Sequence, residues 1–373
     1  MRSKKFNVVK CIVYGTFSVV YEISYPESDS KMSTTKWVLK RFYLQNTLAV
    51  WRALRERNVL VRLAQAEQQS PFLGSLLQSL RVRGGPALVL RKGSGFTLSN
   101  LISNVGLLRE KEAKFYSSEI ICGLEHLHGM NIAHLDLLPE NVLLADSGHI
   151  FITDFDCAYD MSWETRPPKL SKATELLLFI APELRNRIEV TTKADVWGLG
   201  VLISIMVLGL WSTNNFLYGG EDRRSDSCDP LTPFDRLIRA CVTFDHRRRM
   251  DIGGVKRHQF YEDVNWKEVV ACKLEPPYHP SQLKSVTFVD STTSIPKMTC
   301  SSVLLTASEK PTSRNRLQRA GFTTKKINDL FANFDFTNPH LLQSLNGVDG
   351  NQTSGGNADG SVNHRQDESA DYR

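Results

Sequence analysis

Along the first 45 residues, apolar positions come in short β-branched or aromatic groups. Val8-Val9, Ile12-Val13, Val19-Val20-Tyr21 and Trp37-Val38-Leu39 are separated by turn chemistry at Gly15-Thr16 and between Pro26 and Ser33. This pattern predicts strands. Over 47–69 the spacing changes: Ala49, Ala53, Leu54, Leu60, Leu63 and Ala64 recur with helical periodicity among Arg, Gln and Glu. Further helices are predicted over 109–128, 195–210 and 231–243. A strand-rich front therefore precedes a helix-rich back, which implies two lobes and a ligand cleft at their junction. The apolar run over 196–211 falls short of the roughly 20 residues that cross a bilayer, so it predicts a buried core helix and no transmembrane segment.

Beyond residue 265 the periodicity fades. Residues 266–342 carry Pro276-Pro277, Pro280 and many Ser and Thr, and from Asn346 onward Gly, Asn, Ser and Asp leave almost no apolar side chains. The stretch 343–373 is expected to be disordered.

Composition narrows the class. With 41% hydrophobic and 23% charged residues in 373, the chain is globular in type. Seven scattered cysteines without a CxxC pair point to reduced thiols in a cytoplasmic or nuclear compartment. Net charge is +6, and the tail beyond 346 is itself acidic, so the remainder is more basic than that figure. The tightest basic cluster, Arg247-Arg248-Arg249, is bracketed by Asp245 and Asp251 and has no aromatic stacking platform, so no specific nucleic-acid partner is expected.

The candidate chemistry lies mid-chain. His134-Leu135-Asp136-Leu137-Leu138-Pro139-Glu140-Asn141 places an acid and an amide in a Pro-punctuated loop, and the strand Ile150-Phe151-Ile152-Thr153 delivers Asp154 at its end. Two carboxylates and an amide suit Mg²⁺, a hard cation that shares oxygen ligands with phosphates, and leave one acid to orient a hydroxyl. Upstream, Lys40 ends an apolar strand and Glu56 lies in the next helix. Downstream come Ala181-Pro182-Glu183 and Asp195-Val196-Trp197-Gly198-Leu199-Gly200.

This ordered set, over roughly 6–279, resembles the eukaryotic protein kinases, and most closely the AGC group of serine/threonine kinases. The resemblance implies an α+β, bilobal fold: a kinase domain over 1–265, with a β-rich N-lobe (about 1–90) carrying one key helix and a mainly helical C-lobe (about 91–265). An AGC-like tail would follow over 266–342. It implies ATP and Mg²⁺ as cofactors and a protein as substrate or partner. In these roles Asp136 would accept the substrate hydroxyl's proton, and Asn141 and Asp154 would hold Mg²⁺. Lys40 would contact phosphates with Glu56 holding it, and Gly15, Val20, Val38 and Leu90 would join Lys40 in lining the nucleotide. Glu183 would pair with Arg249. Phe331-Ala332-Asn333-Phe334-Asp335-Phe336 resembles the aromatic motif that ends such tails, with Asp335 where a phosphorylated residue is usual and Phe331, Phe334 and Phe336 docking beside the helix of Glu56.

Departures touch the chemistry. Val13 and Ser18 stand where two loop glycines are usual, Leu135 and Leu138 replace an Arg and a Lys, and Asp156 replaces the glycine after Asp-Phe. Asp156 is expected to restrict φ and to add charge near the metal site. Lys172 and Leu176 replace two activation-segment threonines, so regulation by phosphorylation there is not expected. Two readings result: a serine/threonine protein kinase, weak or atypically regulated, and a pseudokinase serving as a non-catalytic interaction or scaffold module, with or without bound nucleotide.

Overall fold

The computed structural model describes residues 6–24, 37–82, 84–164, 167–168, 177–218, 231–284 and 317–340. The predicted turn over 26–33, Lys172, Leu176 and the stretch 343–373 lie outside them. The chain divides into two compact units, Met1–Asn338 and Pro339–Arg373, and the first contains every element below.

Strands β1 (Asn7–Tyr14), β2 (Ser18–Ser24) and β3 (Trp37–Phe42) form where the β-branched groups predict them. In the N-lobe, β4 (Leu76–Val82) and β5 (Gly85–Arg91) go beyond that expectation. The last strand among the described residues, β10 (Phe336–Thr337), completes an antiparallel sheet of order β1-β2-β3-β5-β4-β10. Register decides which side chains share a face: Val20 pairs with Lys40 and Lys40 with Leu88, while Glu22 pairs with Val38 and Val38 with Leu90. Because strand side chains alternate sides, Val20, Val38, Lys40 and Leu90 all point to the same face of the sheet.

Helix α1 (Thr47–Gln65) starts on the Asn46 side chain, which accepts from the Ala49 amide at 2.8 Å. It stops four residues before the sequence periodicity does. Gln69 folds back and its Nε2 donates to the carbonyls of Leu63 and Ala66, both at 3.1 Å, satisfying the helix end.

The C-lobe is built from α2 (Leu98–Val105), α3 (Glu110–Gly129), α4 (Pro182–Arg185), α5 (Lys193–Tyr218), α6 (Pro233–Cys241), α7 (Ile252–Lys256) and α8 (Trp266–Val270). Short ladders β6–β9 (Ile132–Ala133 with Tyr159–Asp160) and β7–β8 (Val142–Leu144 with Ile150–Ile152) carry the loops of the cleft. Helix α5 is apolar and long enough to cross a bilayer, yet Val196, Trp197, Leu199, Val201, Leu202 and Ile203 are fully buried in the core. It is broken at Gly209, whose φ of 80° and ψ of 166° no β-carbon tolerates easily. In the tail, α9 (Thr324–Leu330) precedes the aromatic segment.

Candidate active site

Lys40 is the hub. Its Nζ lies 2.8 and 2.7 Å from the two carboxylate oxygens of Glu56 and 2.7 Å from Oδ1 of Asp154. A strand of the sheet, helix α1 and the loop after β8 thus meet at one ammonium. Burial by itself disfavours that charge, but Asp154 and Glu56 outweigh it and hold the ammonium protonated well above its ordinary range. Burial pushes the Glu56 carboxyl upward, with Lys40 opposing. For Asp154 burial also acts upward, but Lys40 prevails and keeps its carboxyl below the usual range.

The loop over 134–141 is held from beneath by Asp195 at the start of α5. Its Oδ2 accepts from the His134 amide at 2.8 Å and from His128 Nε2 at 2.9 Å, and its Oδ1 accepts from the Leu135 amide at 2.7 Å. Those bonds maintain Leu135 at φ 62°, a left-handed conformation that costs a side-chain-bearing residue roughly 1–2 kcal/mol. His134 donates from Nε2 to the Thr153 carbonyl at 3.0 Å, linking this loop to the one bearing Asp154. Asn141 donates from Nδ2 to the backbone carbonyl of Asp136 at 2.8 Å and to its Oδ2 at 3.1 Å. Asp136 and Asn141 are thereby brought together, and the amide carbonyl of Asn141 is the end that remains for a cation. Burial is the main cause that raises the Asp136 carboxyl to about 6.

Asp154 itself is left-handed at φ 65°, whereas Asp156 is not among the residues of positive φ. The expected restriction at Asp156 is therefore not felt: Phe155–Cys157 form a single 3₁₀ turn that any residue can adopt. Its charge is also matched. Arg52 of α1 donates from Nη1 to Asp156 Oδ2 at 3.0 Å and Oδ1 at 3.3 Å. The partner had no signal in the sequence beyond being one of several arginines on a helix.

The nucleotide-lining candidates are spread along the sheet. Val38 and Leu90 are buried, Val20 is half-buried and Gly15 is exposed in the β1–β2 turn, where its amide donates to the Ser18 carbonyl at 2.8 Å. Leu138 is buried, with 7% of its surface exposed, so an apolar side chain packs at that position. In the C-lobe Arg249 forms a two-pronged pair with Glu183, Nη1 to Oε1 at 2.6 Å and Nη2 to Oε2 at 2.9 Å, both residues fully buried.

The aromatic tail segment sits against α1 and β4. Phe331 and Phe334 are buried edge to face at 5.2 Å, and Phe336 pairs with Ser79 in the ladder between β10 and β4. Arg57 donates from Nε to the Phe334 carbonyl at 3.1 Å and from Nη2 to the Asn333 carbonyl at 2.7 Å, and Ser79 and Arg81 reach the carbonyls of Phe334 and Phe331 at 2.6 Å each. Asp335 is exposed, and Arg57 donates to main-chain carbonyls and to the Asn58 side chain while also feeling the Asp335 charge.

Comparison with known proteins follows the same outline. The family described as "Protein kinase domain" matches residues 6–261. The chain is 31% identical over 289 residues to the serine/threonine-protein kinase gad8 of Schizosaccharomyces pombe, covering 74% of this chain and 48% of that protein. It is 28% identical over 294 residues to ribosomal protein S6 kinase alpha-2 of Mus musculus, covering 74% of this chain and 38% of that one. With the serine/threonine-protein kinase SCH9 of Candida albicans it shares 29% over 296 residues, covering 74% and 36%. The chain spans about half or less of the length of these relatives.

Proposed function

The chain belongs to the protein kinase family and resembles its AGC group, and we propose that it is a serine/threonine protein kinase that transfers the γ-phosphoryl of ATP to a hydroxyl of a protein substrate. The observation that supports this most is the shared ammonium: Lys40 within 2.8 Å of both Glu56 and Asp154, so that α1, the sheet and the metal-side loop stand in register before any ligand arrives. Preorganised charge of this kind is the main resource of phosphoryl transfer, which needs little covalent help from the protein.

A divalent cation fits the donors present. Asp154 is about one-third exposed on its side chain and gives only Oδ1 to Lys40, and Asn141 turns its nitrogen inward to Asp136. These two residues would hold Mg²⁺, which when bound neutralises phosphate charge. Asp136 would receive the proton of the substrate hydroxyl. Held by Asn141 and raised toward neutrality by burial, it suits a general base that works near pH 7. Lys40 would face the α- and β-phosphates, with Gly15 in the turn above and Val20, Val38 and Leu90 enclosing the base. The described cysteines, Cys11, Cys122, Cys157, Cys241 and Cys272, are free thiols.

One observation favours the second reading, a pseudokinase acting as a non-catalytic interaction or scaffold module, with or without bound nucleotide. Leu138 is packed where the family places a phosphoryl-contacting lysine, and losing such a donor typically costs on the order of 10²–10³ in turnover. Thermal shift with ATP, with and without Mg²⁺, followed by phosphotransfer on the same sample, separates the readings. A shift with transfer abolished by Asp136→Asn and by Asp154→Asn supports the enzyme. A shift without transfer supports a nucleotide-binding pseudokinase, and no shift sinks the enzyme and leaves a pseudokinase that binds no nucleotide.

A further inference from the structure

Helix α1 meets the cleft with more than Glu56. Positions 52, 55, 56 and 62 fall on one side of a 3.6-residue helix, and each arginine among them meets a carboxylate of 156–164. Arg52 pairs with Asp156 at 3.0 Å, Arg55 forms a two-pronged pair with Glu164 at 2.9 and 3.1 Å, and Arg62 pairs with Asp160. Arg57, on the opposite side, is the one that takes the tail.

Arg52 is the deepest of the three, 9% exposed against a partner 7% exposed. It also does what the others do not: its guanidinium lies 4.6 Å over the ring of Phe17, in the β1–β2 turn that Gly15 and Ser18 close. Its Nε is buried without a hydrogen-bond partner, a sacrifice that helix packing alone does not call for. One side chain thus touches the turn above the cleft, the helix of Glu56 and the residue two places after Asp154.

We infer that Arg52 is a positioning residue, and that Asp156 is its required partner: their ion pair, capped by Phe17, ties helix α1 and the β1–β2 turn to the segment that carries Asp154. The helix then holds that segment by two parallel ties one turn apart, Arg52 to Asp156 directly and Glu56 to Asp154 through Lys40. The aspartate that looks like damage to a glycine position is half of a tie, and putting glycine back at 156 weakens the site.

The affinity arm of the test rests on the nucleotide reading above; the exchange arm does not. In the full chain, Asp156→Gly and Arg52→Met should each weaken MgATP binding about ten-fold or more and speed amide exchange over 47–65 in the ligand-free protein. Asp156→Asn, which keeps the volume and a hydrogen bond, should show the same effects at smaller size, so the outcome does not hang on one variant's folding. The double variant Arg52→Met with Asp156→Gly should lose no more than either single change, because the two remove one interaction. Should wild-type protein fail to bind MgATP, the functional reading falls and exchange alone decides the tie. The inference is overturned if Asp156→Gly binds MgATP as tightly as wild type or exchange over 47–65 is unchanged, and equally if the two single losses simply add.

Discussion

Arg57 reaches across to Asn333 and binds its backbone carbonyl oxygen through Nη2 at 2.7 Å. The grip is on the main chain, and Ser79 and Arg81 repeat it on Phe334 and Phe331. A tail held this way depends on its two buried rings for energy and on carbonyls for register, more than on the charge of Asp335.

Phe331→Ala combined with Phe334→Ala should therefore lower stability strongly, since a buried Phe→Ala change costs about 3–5 kcal/mol by lost contacts and cavity. Because both rings pack in the cluster that includes α1 residues Leu60 and Leu63, MgATP affinity should fall with the melting temperature. Calorimetry and nucleotide titration on one preparation check this. A variant that melts early yet binds MgATP normally would show the tail to be uncoupled from the cleft.

Asp335→Asn should change neither melting temperature nor MgATP binding measurably. The carboxylate is exposed, and the Arg57 guanidinium is already engaged by two carbonyls. Arg57 does feel the Asp335 charge, so the role expected of Asp335 as a fixed charge received by a cation is reduced to a weak, solvent-screened attraction. A clear loss in the Asn variant would show that attraction to be stronger.

Asp136→Asn should stabilise the protein at pH 7.5 while removing phosphotransfer. Burial raises the folded carboxyl from 3.8 to about 6, so the folded state prefers the neutral acid and loses stability, on the order of 1–3 kcal/mol, as pH rises between those values. Asparagine mimics the neutral form, so its advantage is full above about pH 6 and fades toward pH 4. For the same reason wild-type transfer should climb with pH through about 6. Melting curves and initial rates from pH 4 to 8 test both; an Asn variant equally stabilising at pH 4 would contradict the burial argument.

Arg249→Leu should destabilise by about 3–5 kcal/mol, because it strands the Glu183 carboxylate in a dry site. Replacing both partners with apolar residues of similar volume should recover much of the loss. Urea unfolding of the two variants is the measurement, and equal losses in both would mean that the pair serves packing more than charge balance.

Much of the cleft was legible in the chain because its chemistry is carried by short local words. The acid and amide at 136 and 141 share one loop, Asp154 follows a strand of three apolar residues, and β-branched groups at 19–21 and 37–39 announce the strands that carry Val20, Val38 and Lys40. Such signals are local because turn chemistry and strand propensity act over a few residues. The end of helix α1 was less legible: its apolar spacing runs on to 69, while the return of Gln69 onto carbonyls at 63 and 66 ends it at 65.

Sequence alone also determined the order of the motifs and the presence of three phenylalanines near the end of the chain. Only the tertiary structure decided that Asp156 is neutralised by Arg52, 104 residues earlier, and that Arg57 receives a carbonyl 276 residues later. The periodicity of a helix states which of its residues share a side; it carries no information about which distant segment that side will meet. Arg52, Arg55, Arg57 and Arg62 are alike as letters on one helix. Their partners differ because the fold lays the segment after Asp154 along one side of that helix and the tail along the other, and an ion pair forms only where the two charges are brought within a few ångströms, gaining strength where water is kept out.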